Sequence, residues 1–141
     1  MLYESLSLKE HSLGGVAWHN AVLAGFSGRS LNSLARHLGI KPAVLAETVG
    51  VDPQTFRANV ALSTYVSDAL YRLALALQRA SVAFKDESKA AAWLTHPQNA
   101  LAGQTPMKLL LTDAGAAEVW AVMEKIPKRV AKERANSLVE A

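Results

Sequence analysis

The run from Ser63 to Phe84 constrains the fold of this chain more than any other segment. Apolar residues recur there at three- and four-residue spacing over about six helical turns, at Val66, Ala69, Leu70, Leu73, Leu77 and Ala80. This spacing places them on one face of a helix, and so long a stripe needs other elements to cover it. The segment therefore predicts one long amphipathic helix against which other parts of the chain pack.

The composition favours helices elsewhere as well. The 141 residues include 25 alanines and 20 leucines, whereas aromatic residues make up only 6%. Strong helix formers therefore outnumber the residues that are typical of strands. Because 50% of the residues are hydrophobic and 19% are charged, the chain can also bury a core. We predict an all-α fold, and a β-sandwich or barrel fits poorly.

Cellular location is indicated by what the sequence lacks. The absence of cysteine excludes disulfides and fits a reducing compartment. Asp68 and Arg72 interrupt the longest apolar region, so a membrane-spanning helix is not expected. The start of the chain, with Lys9, Glu10 and His11, lacks the basic flank and continuous apolar stretch of a signal peptide. We therefore expect a cytoplasmic protein without membrane contact.

Three short helices are predicted before the long one. Ser30 is a good N-cap for the first, which would end at Gly39, while Pro42 and Gly50 would begin and end the second. Asp52 would cap the third. The apolar stripes of the three helices would be Leu31, Leu34, Ala35 and Leu38, then Val44, Leu45 and Val49, then Phe56 and Val60.

The second and third of these helices, from Pro42 to Asn59, have the spacing of a helix-turn-helix. Ala46 would lie where the helices cross, Gly50 at the turn, and Phe56 against the first helix. The exposed face of the third helix would carry side chains that can hydrogen-bond base edges or phosphates, namely Gln54, Thr55, Arg57 and Asn59. We predict that these four residues bind DNA. The alternative is a helical hairpin used only for packing.

Net charge gives little further support for DNA binding. The formal charge is +3 and the sequence pI is about 9.3, which permits contact with a polyanion without requiring it. Arg57 is the only basic residue on the segment predicted to read DNA. Any affinity for nucleic acid must therefore come from a few well-placed side chains.

Helix signals continue after the long helix. A short charged break at residues 85–89, in which Asp86 and Glu87 look like a helix start, precedes a predicted helix over residues 90–94. Thr105 followed by Pro106 would begin another helix over residues 107–111. Thr112 or Asp113 would cap a further helix that runs to Ile126. Near the N-terminus, residues 1–29 read as an arm with one helix over residues 16–24.

No catalytic or metal-binding constellation is present. The four histidines, His11, His19, His37 and His96, never flank a glutamate at the spacing of a helical zinc site. Gly25 and Gly28 follow no predicted strand and precede no Gly-Lys-Ser/Thr sequence, which favours a flexible connection over a phosphate-binding loop. The serines lie in no nucleophile elbow. We therefore expect a protein without enzymatic activity, metal or cofactor.

The segment from Ala92 to Gly115 is the most particular part of the sequence. It contains a Trp-Leu pair, a proline with a nearby asparagine, Leu-x-Gly, Thr-Pro, a Leu-Leu pair, and then a threonine and a glycine. The segment resembles the toxin-binding domain of the Xre/MbcA/ParS antitoxins, in which these residues occur in the same register. The matching residues are Trp93, Leu94, Pro97, Asn99, Leu101, Gly103, Thr105, Pro106, Leu109, Leu110, Thr112 and Gly115.

The resemblance covers roughly Gly28 to Ile126, because that family also places a Cro-like helix-turn-helix and a long helix upstream. It implies an antitoxin that binds over the active site of a RES-domain toxin, which consumes NAD, or of a related ADP-ribosyltransferase toxin. It also implies a homodimer that represses its own operon by binding operator DNA, with the long helix as a plausible dimer interface.

The implied organisation has four parts. Residues 1–29 form the arm, 30–84 the helix-turn-helix domain with the long helix, 85–126 the toxin-binding domain, and 127–141 a basic tail. The motif residues themselves have structural explanations as core, caps and turns. Partner contact would then fall to exposed neighbours such as Gln98, Gln104 and Lys108, and to the tail. The alternatives are a stand-alone helical transcriptional regulator, or an interaction module without DNA binding.

Two features depart from the family pattern. Ala102 stands where relatives usually have a second glycine, and the chain continues past Ile126, where the family commonly ends within a few residues. Four basic and two acidic residues lie in this tail, and its apolar positions Val130, Ala131 and Leu138 are too few for a wide buried stripe. We therefore expect a poorly anchored tail, and we expect residues 93–115 rather than the tail to cover the toxin.

Overall fold

The computed structural model of the chain describes residues 2–8 and 15–140. Every regular element in these residues is a helix, which confirms the all-α fold. The helices are α1 Leu2–Ser5, α2 Gly15–Ala24, α3 Gly28–Leu38, α4 Pro42–Val49, α5 Thr64–Phe84, α6 Glu87–Thr95, α7 Pro106–Leu109, α8 Asp113–Met123 and α9 Ile126–Glu140, with a 3₁₀ turn Asn99–Leu101 between α6 and α7. None of the helices in this part of the chain is long and apolar enough to span a membrane.

The chain divides into two compact units, Met1–Ala76 and Leu77–Ala141, with the division inside α5. In the first unit, α3 and α4 bury the apolar stripes that the sequence predicts, except for Val44. Trp18 of α2 packs against Tyr71 and Phe26, with ring centroids 5.1 and 6.4 Å apart. The fully or almost fully buried side chains of α3 and α4 are Leu31, Leu34, Ala35, Leu38, Leu45, Ala46 and Val49.

Helix α5 matches the predicted long helix within one residue. The six residues of its apolar stripe are all buried within the chain. These six side chains are therefore not exposed to a second copy, and a dimer interface on α5 stays a prediction. The exposed side of α5 carries polar residues such as Asp68, together with Tyr65 and Val82.

The predicted third short helix is wrong. Residues 51–63 form turns and loop rather than a helix over Asp52 to Val60. The Asp52 carboxylate accepts a hydrogen bond from the Gln54 amide at 2.9 Å, a local turn that competes with helix formation. Beyond it, the carbonyls of Ala58 and Val60 accept bonds from the Arg29 and Gly28 amides at 3.0 and 2.9 Å. These carbonyls are used by α3 and not by a helix of their own.

Three individual assignments also differ from the sequence prediction. Ser30 is not the N-cap of α3, because the helix begins at Gly28. Its buried hydroxyl instead donates to the Leu6 carbonyl at 2.7 Å. Val44 and Val60, predicted on buried faces, are 45% and 47% exposed. In both cases a valine fits the helical spacing but the neighbouring elements do not cover it.

The caps of the second unit follow the sequence closely. The Asp86 carboxylate accepts from the Lys89 amide at 3.0 Å at the start of α6, and Pro106 occupies the first turn of α7. The Thr112 hydroxyl accepts from the Gly115 amide at 3.0 Å at the start of α8. These interactions satisfy amide groups that a helix start leaves without intrahelical partners.

The tail forms α9 after a short turn at residues 124–125. Ile126 is buried and Val130 is half-buried, whereas residues 131–138 are exposed. The few apolar positions of the tail thus provide little burial. Residues 9–14, which include His11, and Ala141 lie outside the described residues, as does the side chain of Glu140.

Candidate functional site

Two consecutive helices of the first unit, α3 and α4, are joined by a tight turn, whereas the second helix of the predicted helix-turn-helix is a loop. Helices α3 and α4 are joined at Gly39, which has a φ of +72°. That left-handed conformation suits glycine and lets the Ile40 amide bond back to the Ala35 carbonyl at 3.0 Å. Leu45 and Ala46 of α4 are fully buried.

The exposed face of α4 was missed by sequence reasoning. It carries Lys41 just before the helix, then Ala43, Val44 and Glu47. The signal that could have found this face is Gly39, which lies between two apolar stripes just as Gly50 does. One lysine and one glutamate leave this face without net charge.

The four residues predicted to bind DNA are all exposed, and all lie in the loop over residues 51–63. The loop brings Gln54, Thr55, Arg57 and Asn59 into one short segment but not onto a helix face. The Arg57 guanidinium donates to the carbonyls of Phe56 and Gln54 at 2.7 and 3.1 Å. Much of its donor capacity is thus used within the loop, and contact of these residues with DNA stays a prediction.

Close backbone contacts hold this loop against the start of α3. The Leu62 amide donates to the Phe26 carbonyl at 2.7 Å, and the Phe26 amide donates to the buried Ser67 hydroxyl at 2.8 Å. A Cβ added at Gly28 would overlap the Arg57 carbonyl oxygen and lie 2.7 Å from the Phe56 ring. Only glycine therefore fits where the loop crosses α3.

In the second unit, the Trp-Leu motif builds a compact platform. Trp93 packs against Phe84 with the ring centroids 6.3 Å apart. The motif's large apolar side chains and its second proline provide most of the burial. The buried members of the motif are Trp93, Leu94, Leu101, Pro106 and Leu110.

A tight turn connects α6 to α7. The Gln98 amide donates to the Gln104 carbonyl at 3.1 Å, and the Gly103 amide donates to the Gln98 carbonyl at 2.9 Å. The Gln98 side chain also donates to the Trp93 and His96 carbonyls at 2.9 and 3.2 Å. Gln98, expected beside the partner, therefore has its side-chain amide engaged in holding this turn.

Other motif positions remain on the surface of the platform. Pro97, Asn99 and Gly103 are exposed, as are the expected contact residues Gln104 and Lys108. These residues lie on the 98–104 turn or next to it along the chain. They provide backbone and amide groups that a partner protein can contact directly.

Gly115 has a steric role at the start of α8. A Cβ at this position would overlap the Leu109 carbonyl oxygen and would lie 2.8 Å from the carbonyl carbon. Helix α8 thus approaches the backbone of α7 more closely than any side chain allows. The motif glycine fixes how the two helices pack.

Ala102, which stands where the family usually has a second glycine, can be tested by substitution. Its φ of +56° and ψ of +35° are left-handed, a conformation that costs an L-residue about 1–2 kcal/mol. Glycine loses more entropy on folding, by about 0.4–1 kcal/mol. We therefore expect Ala102→Gly to raise the free energy of unfolding by about 0.5–1 kcal/mol, measured by urea denaturation.

The matched control is Ala100→Gly in the same turn, because Ala100 is also exposed but does not have a positive φ. Glycine there should lower the free energy of unfolding. Equal losses of stability in the two variants would contradict the conformational argument at Ala102.

The histidines and acidic residues that the structure describes do not form a metal-binding cluster. Among the described residues, no group of three or more histidine, aspartate or glutamate side chains is placed to hold a metal ion. His19 and His96 are exposed and His37 is half-exposed.

Two family models match the chain in succession. Residues 17–75 match the antitoxin Xre-like helix-turn-helix domain, a range that contains α3, α4 and the loop after them. Residues 79–126 match the antitoxin Xre/MbcA/ParS C-terminal toxin-binding domain, a range that contains the whole Trp-Leu motif. No curated protein matches the chain.

Proposed function

Since the chain belongs to the Xre family of toxin–antitoxin antitoxins, we propose that it neutralises an NAD-consuming toxin by covering that toxin's active site. The observation that carries this proposal is the match of residues 79–126 to a toxin-binding domain. The toxin class is that of the RES-domain proteins or the related ADP-ribosyltransferases. The chain acts as an inhibitor, in the cytoplasm, and has no catalytic role.

The blocking element is the exposed surface beside the Trp-Leu motif. The motif's apolar residues are buried, so they support the surface rather than contact the toxin. Asn99, Gln104 and Lys108 are exposed. Hydrogen-bonding groups on a rigid turn suit recognition of a polar pocket entrance, because little conformational entropy is lost on binding.

The test uses the toxin encoded by the adjacent gene and follows nicotinamide release from NAD. We expect no release with the purified chain alone, and loss of the toxin's release when the chain is added in equimolar amount. Deleting Ser137 to Ala141 should leave full inhibition at saturating concentrations, because the blocking surface lies in residues 93–115.

Two outcomes would contradict these expectations separately. Turnover of NAD by the chain itself, or undiminished toxin activity in its presence, would defeat the antitoxin proposal. Renewed toxin activity in a complex that still co-purifies with the truncated chain would place the blocking element in the tail instead.

Operon repression is the second part of the proposal. Its support is the match to an Xre-like helix-turn-helix domain and the α3–α4 pair. We propose that α4 enters the major groove and that the loop over residues 51–63 contacts DNA beside it. Two copies of the chain would read the two halves of an operator. The alternative function, a stand-alone transcriptional regulator, would bind DNA in the same way but would have no toxin partner.

One observation favours an interaction module without DNA binding. Lys41 and Glu47 offset each other's charge on the exposed face of α4, and Arg57 is engaged with carbonyls of its own loop. Since phosphate contacts supply much of the affinity for DNA, this surface is electrostatically weak. Binding of the chain to its upstream DNA at low salt decides between the two functions.

A further inference from the structure

The second unit carries an open apolar groove that extends beyond the toxin-binding domain. Two adjoining cavities of about 270 and 560 Å³ share Val82, Ala83 and Pro127 in their walls. One reaches Trp120 and Met123 of α8, and the other follows α9 to Leu138. Because the two cavities share these residues, we treat them as one groove along the last turns of α5 and name it the α5–α9 groove.

The walls of the groove are unusually apolar for an exposed surface. Val82 and Leu138 are 73% and 80% exposed, and both line the cavity beside α9. Large apolar side chains grouped in a groove mark an interaction site more often than isolated ones do. In α9 the apolar residues Pro127, Ala131 and Leu138 are four and seven residues apart, a spacing that places them on one face of the helix.

The charges along the groove are predominantly positive. Arg79 lies over the Trp120 ring, with its guanidinium carbon 4.8 Å from the ring centroid. Lys85 and Arg134 line the second cavity, and Glu124 is the acidic residue in the lining. Two copies of this groove would bring like charges together, which disfavours self-pairing. A partner with apolar and acidic side chains is complementary to it.

We infer that the α5–α9 groove binds the cognate toxin, through an apolar segment of the toxin flanked by acidic residues. The inference rests on the proposed antitoxin function. It is supported by continuity, because Arg79, Val82 and Trp120 fall within the residues that match the toxin-binding domain. The α9 residues continue the same wall past the end of that match. The groove contributes affinity, while the turn at residues 98–104 covers the active site.

The test compares Val82→Glu and Leu138→Glu with the wild-type chain for binding to the toxin from the adjacent gene, by calorimetry. Each glutamate places an unpaired charge in an apolar contact and meets an acidic partner segment. We expect each substitution to weaken binding by about tenfold or more. The melting temperature of the free chain should be unchanged, because both side chains are largely exposed.

Val16→Glu is the matched control, because Val16 is 76% exposed but lies in α2, outside the groove. Its affinity for the toxin should equal that of the wild type. Wild-type affinity in both groove variants would overturn the inference and leave the antitoxin proposal standing. Failure of the wild-type chain to bind the toxin would overturn both.

Sedimentation of the free chain measures its association state and so tests whether a second copy of the chain occupies the α5–α9 groove. If Val82→Glu and Leu138→Glu abolish self-association while toxin affinity is unchanged, the groove is a dimer interface and the toxin assignment is wrong. Weaker toxin binding with an unchanged association state supports the inference.

Discussion

Gly115→Ala is expected to destabilise the toxin-binding unit by about 2–3 kcal/mol. In an unobstructed helix the same substitution stabilises by about 1 kcal/mol, because alanine is the better helix former. At Gly115 the new Cβ overlaps the Leu109 carbonyl. The neighbouring backbone has little freedom to yield, because the Thr112 hydroxyl holds the Gly115 amide at 3.0 Å. The collision therefore outweighs the gain in helix propensity.

Chemical denaturation of the purified variant measures this loss, and calorimetric titration with the toxin measures its functional consequence. Gly15→Ala is the control, because Gly15 also lies in a helix but has no atom near its added Cβ. That variant should match or exceed wild-type stability. If Gly115→Ala and Gly15→Ala have the same stability, the close approach of α7 and α8 does not determine how this unit packs.

Local signals in the sequence account for most of the helices. The stripe of α5 and the caps at Asp86 and Thr112 depend on residues within one or two turns of each other. Such interactions can be recognised without knowing the rest of the fold. The helix ends at Gly39 and Gly50 are likewise marked by local signals in the sequence. Each of these features is present where the sequence predicts it.

The errors arise where distant residues decide the local structure. The carbonyls of Ala58 and Val60 bond to amides about 30 residues earlier in the chain, and no local pattern indicates this pairing. The same limitation affects the predicted helix-turn-helix, because its second helix falls in residues 51–63, where the structure has turns and loop.

The candidate site was predicted in part. The motif from Trp93 to Gly115 identifies the toxin-binding unit, yet its large apolar side chains mainly form a buried support. Sequence spacing does not separate residues that build a surface from those that contact a partner. Gln98 shows this, because its amide belongs to the type that binds partners but is bonded to Trp93 and His96 carbonyls.

Gly28→Ala is expected to have the largest effect on the helix-turn-helix unit. Its Cβ would overlap the Arg57 carbonyl and press on the Phe56 ring. Relief of this overlap requires the loop to move, which breaks the bond from the Gly28 amide to the Val60 carbonyl. We expect a loss of about 2–3 kcal/mol in the free energy of unfolding. Denaturation of the variant beside Gly15→Ala measures it.

The same substitution separates the two accounts of DNA binding. If the loop over residues 51–63 contacts the operator, Gly28→Ala should weaken binding to the upstream DNA more than Arg57→Ala does, because it displaces every residue of the loop. Arg57→Ala should cost about 1–3 kcal/mol if the guanidinium reads a base, and should weaken all sequences equally if it contacts a phosphate. Fluorescence anisotropy at several salt concentrations distinguishes these cases. Unchanged operator affinity in a folded Gly28→Ala protein would exclude the loop from the interface and leave α4 as the reading element.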